Sequence, residues 1–166
     1  MPWTNRNIGC CRVWTGSDVA FLLEKGAEID APGHNARASL SWAVMSAVMA
    51  TVRLLLDKGT KVDAREDAGK MPLWFAANGG NVEIACLLVE RGADVDLQYA
   101  NGRTQLSQAA EAGNEWAVRI LLDNGADIDS QDDDKRTPLW WAIQRGHETI
   151  VNLLVEKGAD VNSCDK

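Results

Sequence analysis

Arg37, Lys70, Arg103 and Arg136 stand 33 residues apart, each three residues upstream of a leucine. If the units carrying them stack about 8–10 Å apart, the four cations form a ladder along one edge, an electrostatic rail for an acidic segment of a partner. The competing reading is a set of solvated turn residues. Two further columns are aromatic. Trp74 and Trp140 share one register, and Trp42, Phe75 and Trp141 share the next. Rings at such positions either fill the seam between units or line a groove where tryptophan is a favoured anchor. The seam is the preferred reading, with recognition second.

Asp30, Asp63, Asp96 and Asp129, with Asn162 in the same register, could be taken for a metal ladder. Short acids in turns hydrogen-bond the backbone of their own turn, and that reading is preferred. The run "DDD" at 132–134 is read in the same way, as a solvated turn. Only two histidines are present, His34 and His147. His147 reads as a helix-start residue. Neither a Ser-His-Asp set, a phosphate-cradling glycine loop nor zinc-ligand spacing is visible, so no catalytic residue, metal or cofactor is assigned. An enzyme built on the aromatic columns would have to draw acid–base groups from Asp67, Asp133, Asp134, Glu111 or His34.

The elements that position these residues follow from the same period. Gly26, Gly59, Gly92, Gly125 and Gly158 are spaced by 33, as are Leu40, Leu73, Leu106 and Leu139, and Ala43, Ala76, Ala109 and Ala142. A period of this size marks a solenoid of stacked supersecondary units. Each unit reads as two short helices. In "MPLWFAANGGNVEIACLLVERGADVD", Pro72 suits a first helical turn, Gly79 and Gly80 end the first helix, and Ile84, Leu87 and Leu88 line one face of the second. Gly92 is then a left-handed terminator, preceded by a cation that suits a helix C-terminus, as Lys25, Lys58 and Lys157 do in other units.

"TPLWWA" at 137–142 and "MPLWFA" at 71–76 resemble the Thr-Pro-Leu-His-x-Ala signature of the ankyrin repeat family, and "RGHETIVNLLVEKGADVN" at 145–162 is similar to the second half of its repeat. The resemblance divides the single domain, 1–166, into full units at 33–65, 66–98, 99–131 and 132–164 after a degenerate one at 1–32. It implies an all-α solenoid of helix-turn-helix units joined by β-hairpin-like turns. It also implies a non-catalytic scaffold that binds proteins on the concave face of its first helices and on its hairpin tips. In that frame Met45, Trp74, Glu111, Trp140, Gln144 and Arg145 join the four cations as candidate contacts. The alternative function is a small-molecule binder or enzyme with a groove lined by Trp42, Trp74, Phe75, Trp140 and Trp141. The first full unit, with Ala38-Ser39-Leu40-Ser41 in place of Thr-Pro-Leu-His and "SAVM" at 46–49 in place of a glycine turn, is expected to be the least regular, with a longer first helix. Trp116 is expected to pack against a neighbouring helix.

Composition bounds the rest. The 166 residues include 25% charged and 46% hydrophobic residues, a globular balance. A net charge of −7 opposes generic binding to nucleic acid. No apolar run reaches the roughly 20 residues needed to span a bilayer, and "MPWTNRNIGCCRVW" lacks the pattern of a secretory signal. Cys10, Cys11, Cys86 and Cys164 have neither metal-ligand nor disulfide-framework spacing. An intracellular setting, cytoplasmic or nuclear, is therefore expected. Neither end resembles a polar cap, so self-association through the ends is a further expectation.

Overall fold

The computed structural model describes residues 19–21, 24–26, 29, 38–66, 69–99 and 101–163. Eight helices follow one another as α1 (Ser39–Met45), α2 (Met49–Asp57), α3 (Pro72–Asn78), α4 (Val82–Glu90), α5 (Gln105–Ala112), α6 (Glu115–Asp123), α7 (Pro138–Arg145) and α8 (Glu148–Glu156). They form antiparallel pairs, and no strand occurs among the described residues. Ahead of α1, residues 19–21 and 24 are helical, with Val19 buried.

Local chemistry accounts for the helix ends. Pro72 and Pro138 occupy the first turn of α3 and α7, where a missing N–H removes no intrahelical bond. The Thr104 and Thr137 hydroxyls accept from the backbone N–H groups of Ser107 and Trp140 and so cap α5 and α7. Ala38 and Met71 stand at the same step without a side-chain cap. Every registered glycine, from Gly26 to Gly158, has a positive φ, the left-handed end expected of it. The hairpin tips close through Glu66 N–H to Lys70 O, Tyr99 N–H to Arg103 O and Asp132 N–H to Arg136 O.

Between pairs, the leucine and alanine columns form the core. Leu40, Leu73, Leu106 and Leu139 are all at most 4% exposed, and the alanines beside them let the helices approach. At two of the three described seams first helix packs on first helix, α1 on α3 and α5 on α7. At the middle seam α3 packs instead on α6, and α3 and α5 touch little. A wedge opens there between the first helices of the second and third units.

One expectation needs correction. The first helix of the first full unit is no longer than its counterpart α3: both have 7 residues. Its turn is nonetheless regular, because Ala47 takes φ 54° at the step where Gly80, Gly113 and Gly146 are left-handed. An alanine there carries the steric penalty of the left-handed region, about 1–2 kcal/mol. Ala47→Gly is therefore expected to stabilise the protein by about 1 kcal/mol, read as a higher denaturation midpoint at unchanged slope. An equal or lower midpoint would show that the unit relieves the strain in another way.

Candidate functional site

The outward residues of α3, α5 and α7 and the tips before them bring the cation and tryptophan columns into contact. The Lys70 ammonium lies 3.9 Å from the centre of the Trp74 ring. The Arg103 guanidinium lies 3.9 Å from Trp141 of the following unit. Arg136 sits 5.0 Å from Trp140 and 5.1 Å from Trp141. Each such contact contributes about 0.5–2 kcal/mol, more as water is excluded. Two columns that were separate candidates in the sequence thus make one surface of cations laid on indoles.

Consecutive helical residues point about 100° apart, which separates the paired tryptophans. Trp141 is 9% exposed and donates its indole N–H to the Asp132 carboxylate at 3.1 Å. The same carboxylate accepts the Asp134 and Arg136 backbone N–H groups. "DDD" is therefore in part an anchoring device: buried Asp132 ties the tip to the core. Trp140, edge-on to Trp141 at 4.9 Å, remains half-buried, as do Trp74 and Phe75, which make a similar edge contact.

Most of the charge on this surface is already paired. Glu111, at the end of α5, receives both Arg103 and Arg145. Burial works to raise its carboxyl, but the hydrogen bonds from Arg145 and Arg103 outweigh it and hold the group below the usual carboxylate range. Arg136 pairs with Asp134. Lys70 has no carboxylate partner among the described residues. Met45, Gln144 and Arg145 are exposed at the ends of α1 and α7. Arg37, His34, Asp30, Asp67, Cys10, Cys11 and Cys164 lie outside the described residues.

The wedge at the middle seam holds a cavity of about 310 Å3, bordered by Lys70, Trp74, Arg103, Gln105, Gln108 and Glu111, with alanines and Leu121 behind them. It coincides with a gap in the aromatic columns: the third unit has Ser107 and Gln108 where its neighbours have Trp74 and Phe75 or Trp140 and Trp141. Gln105, at the step occupied by Pro72 and Pro138, has no exposed surface, and neither its amide nitrogen nor its amide oxygen has a partner. Leaving buried polar atoms unpaired costs about 1–3 kcal/mol per group. Arg103 Nε is likewise buried and unpartnered.

Several residues serve purposes other than those expected. The Asp63, Asp96 and Asp129 carboxylates accept the backbone N–H groups of Asp94, Asp127 and Asp160, so they tie each turn to the next unit's turn rather than to itself. Burial raises the carboxyls of Asp63 and Asp96 against these hydrogen bonds. Among the described residues no group of three or more His, Cys, Asp or Glu side chains is placed to hold a metal ion. His147 stands at the N-cap of α8, the helix-start place expected of it, without a side-chain cap bond. Its Nε2 lies 3.0 Å from the Glu111 carbonyl, and its ring fills the space a Cβ on Gly113 would need, at 2.6 Å. Trp116 is not packed but 68% exposed, and it borders a shallow cleft of about 300 Å3 with Asn78, Gly79, Gly80 and Asn114. Only its place early in a second helix was legible beforehand.

The Glu111 pairing sets a pH dependence. A carboxyl held low in the folded state contributes stability that is present above its ordinary value of 4.5 and lost as pH falls through the folded value. Wild type is thus expected to exceed Glu111→Gln in thermal midpoint at pH 7, with the gap closing below pH 4.5. Asp63 and Asp96, raised by burial, act in the opposite sense and gain as they protonate. A gap that is unchanged from pH 7 to acid would mean that Glu111 acts through packing alone.

Comparison with curated proteins returns no match. The family described as "Ankyrin repeats (3 copies)" matches residues 12–99 and 73–165. Those spans contain the eight helices given above, and the chain belongs to the ankyrin repeat family.

Proposed function

We propose that this chain is a non-catalytic protein-recognition module, four full units after a degenerate one, that binds a partner segment along its first helices and hairpin tips. The observation that carries this reading is the surface of cations on indoles around the wedge at the middle seam. Tryptophan and arginine are the residues most often found at binding hot spots, and a preordered scaffold loses little entropy on binding. Because Arg103 and Arg145 share Glu111 and Arg136 pairs with Asp134, Lys70 is the cation best placed to meet an acidic residue of the partner. The expected setting is the cytoplasm or nucleus. A Trp-lined groove for a small molecule has less support: of Trp42, Trp74, Phe75, Trp140 and Trp141, only Trp74 borders the cavity.

Peptides selected from a random display library on the wild-type protein are expected to bind Trp74→Ala weaker by about 2–4 kcal/mol. Lys70→Glu is expected to have a smaller effect and to flatten the salt dependence. Selection of no peptide, or binding indifferent to Trp74, would remove the reading.

The last unit exposes Ile143, Val155 and Val161, whose counterparts Ala110, Leu122 and Ile128 are buried or half-buried in the stack. Self-association through this face predicts a molar mass that rises with concentration in scattering measurements. Ile143→Glu is expected to abolish that rise, and a constant monomer mass in wild type would exclude this mode.

A further inference from the structure

We infer that the wedge between α3 and α5 is a subsite for a primary carboxamide, the side chain of an asparagine or glutamine in a bound segment. This deepens the recognition reading above and rests on it for the source of the amide. Gln105 and Arg103 both border this cavity, and three of their side-chain polar atoms are buried without a partner: the nitrogen and oxygen of the Gln105 amide and Arg103 Nε. Together they offer two donors and one acceptor, and turning the Gln105 amide over leaves that inventory the same. A carboxylate satisfies the donors but sets an anion against the remaining oxygen. A primary carboxamide satisfies all three, accepting from both nitrogens and donating to the oxygen. Trp74 and the alanines behind it supply apolar contact for the methylene stem.

The cavity, about 310 Å3, sits at the lower end of the roughly 300–1,000 Å3 range of ligand pockets, which suits one side chain rather than a cofactor. The position of Gln105 strengthens the case. Its backbone N–H is the first of a helix and has no intrahelical acceptor, and Thr104 before it is already extended, at φ −86° and ψ 169°, as a residue preceding proline must be. Proline therefore fits this position, as it does in α3 and α7. A buried, unpaired glutamine thus stands where proline fits, a local departure of the kind found at functional sites. Because the amide has no exposed surface in the free chain, its bonds form when a group enters the wedge and the side chain turns to meet it.

Two measurements test this. In the first, the side-chain amide resonances of Gln105 are followed by NMR during titration with N-acetylglutamine methylamide. A saturable shift is expected, with a much weaker response to N-acetylglutamate methylamide. No shift, or an equal response to both, would overturn the subsite and leave a wedge filled by water alone. In the second, peptides selected on wild type are expected to carry Asn or Gln at one fixed position and to bind Gln105→Pro about tenfold weaker, the loss of one hydrogen-bonded pair. Gln105→Pro is expected to melt no lower than wild type; should it fail to fold, the unbranched Gln105→Met replaces it. Peptides without a fixed amide, bound equally by wild type and variant, would overturn the subsite while leaving protein recognition intact. Failure to select any peptide would remove the recognition reading, and the NMR titration would still decide the subsite.

Discussion

No pair of helices in this chain can bury its own apolar face, and everything else in the structure follows from that. A leucine such as Leu73 or Leu106 reaches 0–1% exposure only because a neighbouring unit covers it. Stability is then carried by nearest-neighbour interfaces. Leucine makes the contact, and the alanine three residues on keeps the helices close. Polar ties run the same way. Asp96 accepts from Asp127 of the next unit, and the Arg65 side chain donates to the Gln98 carbonyl across the same kind of step. The columns that build interfaces are fixed by this constraint, while the residues on the outer edge of the first helices are left to differ.

The cations and tryptophans occupy the boundary between those two sets. Trp141 lies on the interface side: it is buried, its indole N–H is satisfied by Asp132, and it is covered by Arg103 from the preceding unit. Trp140, one residue earlier, lies on the open side with Arg136 beside it. The paired tryptophans therefore divide the labour that the sequence left open, the second serving the seam and the first remaining available. Arg103 shows the same duality, since it packs on an aromatic face while giving a terminal nitrogen to Glu111.

The period made the helix pairs, their order, the left-handed glycines and the leucine core legible in advance, because each depends on a residue type repeated in register. What escaped was whatever depends on a single departure from that register. Ala47 enters the left-handed region because the units on either side dictate the turn, whatever residue stands there. Trp116 looks like a packing residue by composition, but its helical position faces outward. The expected rail of free cations was half legible: the register is real, yet Glu111 and Asp134, which pair with Arg103 and Arg136, belong to no repeating column. The wedge was written as an absence, two missing aromatics at Ser107 and Gln108, and its consequence appears only once α3 is seen to pack on α6.

The departures concentrate in one unit. Gln105, Ser107 and Gln108 replace, within four positions, a proline and two large rings present in at least two other units. Each change removes something the stack would use: a preset backbone angle or buried aromatic area. In a solenoid whose energy is a sum over adjacent interfaces, such a loss is confined to the seam where it occurs. The tight α5–α7 packing on the other side of the same unit is retained. One seam can thus be opened and made polar while the others hold the chain together, which is the arrangement a rigid scaffold needs if it is to carry a receptive cleft.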